Sequence, residues 1–189
     1  MRKNFMSIVS MRKSLLAVAV IICCAMATTV FTSCSKSSDD DGGTTSNTKS
    51  PRVELLLSLS ESEDILKYCD VNIEYNDGTG AKTVTLTDKT WKKTLTAKLP
   101  ATFSIKKTVT LKEGVDLSTD TTTFNCAEAY SYMYNILNVD GGVITSNGNS
   151  TEDLDAEGKT YEVAEGIKKG DFNLSFTYAF DANGKLTIK

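Results

Sequence analysis

The chain has 189 residues, 21 basic and 24 acidic groups and no histidine, for a formal charge of −3. Without histidine, Ser-His-Asp and Cys-His catalysis and His-ligated zinc are all excluded, and acid–base work falls to carboxylates, lysine or tyrosine. All four ionised residues of 1–33 are basic (Arg2, Lys3, Arg12, Lys13), which leaves 17 basic against 24 acidic groups beyond them, a formal −7. Neutralising phosphates needs the opposite sign, so nucleic acid is not an expected partner.

Residues 11–33, MRKSLLAVAVIICCAMATTVFTS, have the three parts of a secretory signal. Arg12 and Lys13 are its positive start, Leu15 to Ala27 its uncharged apolar run, and small polar residues follow. The run is short for a membrane-spanning helix and passes directly into polar chain. Met11 offers a second start, since MRKSLL makes a full positive region by itself.

Phe31-Thr32-Ser33-Cys34 resembles the bacterial lipobox, with Phe31 where that motif usually has leucine. The resemblance implies cleavage between Ser33 and Cys34, a thioether-linked diacylglycerol on Cys34 and a further acyl chain on the freed amine. One chain holds only marginally, whereas two or three make a durable anchor. Cys23 and Cys24 are poorer candidates, because Ile22 precedes the first and both sit mid-run. The next stretch, 34–50, holds no apolar residue after the cysteine and is expected to be a flexible tether. Its Ser38-Asp39-Asp40-Asp41 run resembles the acidic export signal of Bacteroidetes surface lipoproteins, and the serine after Cys34 also fits outer-membrane sorting. The expected address is the outer membrane, lipid-anchored and facing outward, with a periplasm-facing anchor as the alternative.

From Pro51 the texture becomes period-two, the mark of half-buried strands. RVELLLSLS sets Val53, Leu55, Leu57 and Leu59 on one face, and Glu61–Tyr68 reads as a helical turn. DVNIEY, the turn NDGTG and KTVTLT make a hairpin. WKKTLTAKL aligns Trp91, Leu95, Ala97 and Leu99; Pro100 breaks it, and TFSIKKTVTLK resumes. TFNCAEAYSYMYNI reads as one strand through Phe124, Cys126, Tyr130, Tyr132, Tyr134 and Ile136. Thr151–Gly158 reads as a loop. DFNLSFTYAF, the turn DANG and LTIK form a closing hairpin. Seven to nine strands over 51–189 predict an all-β antiparallel sandwich, Ig-like or transthyretin-like, with a barrel as runner-up. A membrane barrel is not expected, since sustained apolar outward faces are missing.

Few residues suggest chemistry. Cys69 and Cys126 each fall in phase with an apolar face, and an exported compartment permits a disulfide, with two buried inert thiols as the alternative. Tyr130, Tyr132 and Tyr134, with Trp91, offer a candidate ligand platform for sugar rings; the competing reading makes them core. DLDAEG, Asp153–Gly158, has the first half of a calcium loop, but its twelfth position is Ala164, so the closing carboxylate is missing and no metal or other cofactor is expected. The whole plan resembles small uncharacterised lipoproteins of gut Bacteroidetes, which implies a tethered β-sandwich and transfers no catalytic residue. The expected function is a binding module for a glycan or protein ligand rather than an enzyme. The alternatives are an envelope or fimbrial subunit assembling by strand addition, and a hydrolase working through carboxylates.

Overall fold

The computed structural model describes residues 50–153 and 156–189. Arg52–Glu61 forms β1, and alternation turns Val53, Leu55, Leu57 and Leu59 inward, all of them buried. Ser62 ends the strand and caps helix α1, Glu63–Tyr68: its Oγ accepts the Ile65 N–H at 3.3 Å. The helical turn expected at 61–68 is therefore present.

Cys69–Asn76 (β2) and Ala81–Thr85 (β3) make the first hairpin. Thr90–Lys98 (β4) and Ala101–Leu111 (β5) follow, and between them Leu99-Pro100 carries the chain from one sheet to the other. The remaining elements are β6 (Thr123–Asn125), β7 (Glu128–Leu137), β8 (Val143–Asp153), β9 (Glu157–Lys159), α2 (Thr160–Lys169), β10 (Leu174–Phe180) and β11 (Leu186–Ile188).

The strands form two layers, one in the order β4-β1-β7-β8 and the other β11-β10-β5-β2-β3, with β6 and β9 paired as a separate ribbon. Every pairing is antiparallel and both large sheets are open at their edges. The all-β sandwich expected from the alternation is what forms, and the barrel alternative is not. The core lies between the layers. Leu55, Leu57 and Leu95 come from one side, and Ile73, Phe103, Ile105 and Tyr178 from the other.

Among the described residues, eleven strands replace the seven to nine expected. Three of them, β6, β9 and β11, are only three residues long. The single strand expected over 124–136 is two. The Asn125 side chain accepts the Ala127 N–H at 2.9 Å and turns the chain, so β6 joins β9 while β7 joins β1. The loop expected at 151–158 is partly strand, the end of β8 and the start of β9.

Helix α2 was not anticipated. Val163, Ala164 and Ile167 are spaced at helical period and buried together, and Gly170 stops the helix in the left-handed conformation at φ 80°. It packs against β5 beside the start of β10. β10 covers Ala101–Lys107 of β5, and just beyond that the Asn173 side chain accepts the Val109 N–H at 2.9 Å.

Candidate functional site

The tyrosine row is built into the core. Tyr130 stacks on Phe176 (centroids 5.2 Å apart, 18° between planes), Tyr132 tilts against Tyr178 at 5.1 Å, and Tyr134 meets Phe180 edge-on at 5.1 Å. Three successive inward positions of β7 thus match three of β10 across the interlayer space, the spacing that aromatic quadrupoles favour. Tyr130 and Tyr134 are buried and Tyr132 half-buried, so the platform expectation is corrected for these residues: their ring faces meet other rings. The Tyr130 and Tyr178 hydroxyls hydrogen-bond to each other. Burial pushes both phenols up, Tyr178 to about 12. Trp91 is half-buried on β4, opposite Leu59 and tilted against Tyr75 at 5.6 Å, so it too serves mainly as packing.

Cys69 and Cys126 are buried as thiols, and the disulfide alternative is not what the structure contains. Being in phase with an apolar face gave each cysteine a place in the core, but different ones. Cys69 opens β2 opposite Leu111, whereas Cys126 follows β6 and donates its N–H to Ala156. Burial raises the Cys69 thiol to about 11, far from a nucleophile's range. The sites at Ser33, Cys34, Ser38, Asp39, Asp40 and Asp41 lie outside the described residues.

A buried charged cluster is the feature the alternation did not single out. Following β1 inward by twos, Val53, Leu55, Leu57 and Leu59 lead to Glu61; on β5, Phe103 and Ile105 lead to Lys107 and then Val109. Both charged side chains therefore point into the core, at 0% and 1% exposure. Lys107 Nζ donates to Glu61 Oε1 at 2.5 Å and to Glu128 Oε2 at 2.6 Å. Glu128 faces Glu61 directly across the β1–β7 ladder, so two carboxylates of one sheet hold one ammonium of the other. Glu61 Oε2 is buried without a hydrogen-bond partner. Desolvation pushes the Glu61 carboxyl up, outweighing the pull of the lysine. The sequence signal was present as a break in two apolar faces at in-phase positions.

One concavity opens to solvent at the end of the sandwich where β1 begins. It encloses about 570 Å³ between the rims of β8 and β11, and Leu99, Tyr134, Ile136, Ile144 and Leu186 line it with Lys185. Ile144 and neighbouring Val143 are each 61% exposed, an unusual placement for large aliphatics. Among the described residues no group of three or more acidic or cysteine side chains could hold a metal ion, and no helix is long and apolar enough to cross a membrane.

No family model, no curated protein and no solved structure matches the chain.

Proposed function

We propose that the chain is an outer-membrane lipoprotein, anchored through Cys34 and carried to the cell exterior, whose sandwich binds a protein partner in the groove beside Ile144. The address rests on the lipobox-like Phe31–Cys34 and the Ser38–Asp41 run. The observation that carries the binding reading is the mostly apolar groove with its exposed rim at Ile144, next to the equally exposed Val143. A protein is favoured over a glycan because sugar stacking needs open aromatic faces, and the tyrosines spend theirs on Phe176, Tyr178 and Phe180.

Two measurements test the reading. Globomycin treatment of expressing cells accumulates an unprocessed precursor if Cys34 is acylated, and protease applied to intact cells removes the sandwich if it faces outward; a precursor that never accumulates or a fully protected domain overturns the address. A photo-crosslinking residue at position 144 captures a discrete partner on intact cells, and the same residue at exposed Thr83 does not. Equal capture at both positions, or none, overturns the groove.

A second reading, assembly into an envelope or fimbrial polymer by strand addition, is favoured by β8. It is an eleven-residue edge strand whose residues 143–151 carry no charge, while the β4 edge carries Lys92, Lys93 and Lys98. Natural edges are usually blunted by such charges. Sizing chromatography and electron microscopy distinguish a monomer from a polymer.

A further inference from the structure

We propose that Lys107 and Glu61 are an isopeptide-forming pair, in which Nζ condenses with the Glu61 carboxyl to give a covalent amide between the two sheets, with Glu128 as the catalytic carboxylate. This goes beyond the binding reading and stands independently of it.

The geometry supplies each part. Nζ lies 2.5 Å from Oε1, one bond away from the Cδ it would attack, with both side chains fully withdrawn from water. Holding reactants in contact at a fixed orientation removes much of the entropic barrier to condensation. Glu128 approaches the same nitrogen at 2.6 Å and is partly exposed, so it can take a proton from Nζ and pass it outward. The orphan oxygen is the natural leaving atom: Glu61 Oε2 is buried with no partner, a costly state that expulsion as water would end. Burial raises the Glu61 carboxyl, which enlarges the share of its protonated and more electrophilic form. Amide formation also replaces a desolvated ion pair with a neutral group, the change a dry interior rewards.

The step balances without any co-reactant. The Nζ ammonium gives one proton to Glu128, and its freed lone pair forms the Nζ–Cδ bond. The Cδ–Oε2 bond then breaks, and the Oε2 hydroxyl leaves with the second Nζ proton as water. The products are a secondary amide, one water and a protonated Glu128.

Tryptic mapping of the purified full-length protein tests this. An unmodified Lys107 is cut by trypsin and yields 53–67 and 108–112 as separate peptides. The expected product is a branched species joining 53–67 to 107–112, uncut after Lys107 and one water lighter than the two together. Tandem mass spectrometry should place the link on Glu61 and Lys107. Lys107→Arg keeps the positive charge but should give no branched peptide, and Glu128→Gln should lose most of it while the circular dichroism spectrum is retained. Quantitative recovery of the two separate peptides from folded wild-type protein overturns the proposal. A branched peptide that forms equally well in Glu128→Gln overturns the role of Glu128, and Lys107→Glu128 linkage in place of Lys107→Glu61 overturns the assignment of the acceptor.

Discussion

The Tyr130 and Tyr178 hydroxyls meet inside the sandwich, each from an aromatic row on its own sheet. Removing one hydroxyl strands the other in the core, whereas removing both leaves a matched apolar pair. Tyr178→Phe is expected to cost ~1–3 kcal/mol, and Tyr130→Phe/Tyr178→Phe less than the sum of the single changes. Urea unfolding of the four proteins of the cycle measures the coupling; strictly additive losses would show that the hydroxyls act separately.

The same pair sets an alkaline limit. In the unfolded chain both phenols ionise near their ordinary value of 10.0, while burial raises both in the fold, Tyr178 to about 12. Their contribution to stability is therefore fully present below pH 10 and is lost as pH rises towards 12, because only the unfolded chain can release the protons. Unfolding midpoints should be flat on this account below about pH 10 and fall steeply above it. Tyr178→Phe should flatten the fall.

Lys107→Met leaves two facing carboxylates, one fully buried, with no cation between them. Breaking such a cluster from one side typically costs ~3–5 kcal/mol, and replacing the set by apolar groups of similar volume restores much of it. The expected result is a large drop in urea midpoint for Lys107→Met and a clear recovery in Lys107→Met/Glu61→Leu/Glu128→Leu. A single variant as stable as wild type would contradict the packing described.

Gly184 closes the last hairpin with φ +79°, and a Cβ there would meet Ile136 Cγ1 at 2.9 Å. Gly184→Ala combines a left-handed penalty of ~1–2 kcal/mol with a steric push on the core. Gly184→Asn, which tolerates the dihedral better, keeps the same collision. Both are expected to lower the melting temperature, and only a dihedral-limited site would let asparagine rescue alanine.

Cys69 and Cys126 should resist alkylation in the native state, since both are buried and the Cys69 thiol stays protonated to about 11. Iodoacetamide labelling at neutral pH, mapped by peptide, is expected to modify neither before denaturant and both after it without a reductant. Labelling that requires reduction would restore the disulfide.

Where one face was apolar and the other polar, the strands were readable from the residues alone. DFNLSFTYAF-DANG-LTIK is the clearest instance, because Phe176, Tyr178 and Phe180 alternate and Gly184 supplies the turn. β8 gave no such pattern: VITSNGNSTED runs along an edge, so neither of its faces had to be apolar. Helix α2 was hidden by its brevity, with three apolar positions between charged ones. The tyrosine row was visible, but period two cannot say which face of a strand meets the other sheet. Glu61 and Lys107 escaped notice for the opposite reason: each is a charge at an inward position, and alternation alone discounts charges as solvent-facing. Only the register of β1 against β7, and the reach of β5 across the layers, joins them.

The chain enters the sandwich through β1, and β1 is an interior strand, laddered to β4 on one side and to β7 on the other along almost its full length. A pull on the segment ahead of Ser50 would therefore act lengthwise on two ladders at once, so their hydrogen bonds would have to rupture together rather than peel open one by one. The far end of that strand is Glu61, held to the opposite sheet through Lys107. Tension entering at Arg52 would thus be shared between both layers, through β4 and β7 in one sheet and through Lys107 in the other, an arrangement that resists unfolding by a pull at that end.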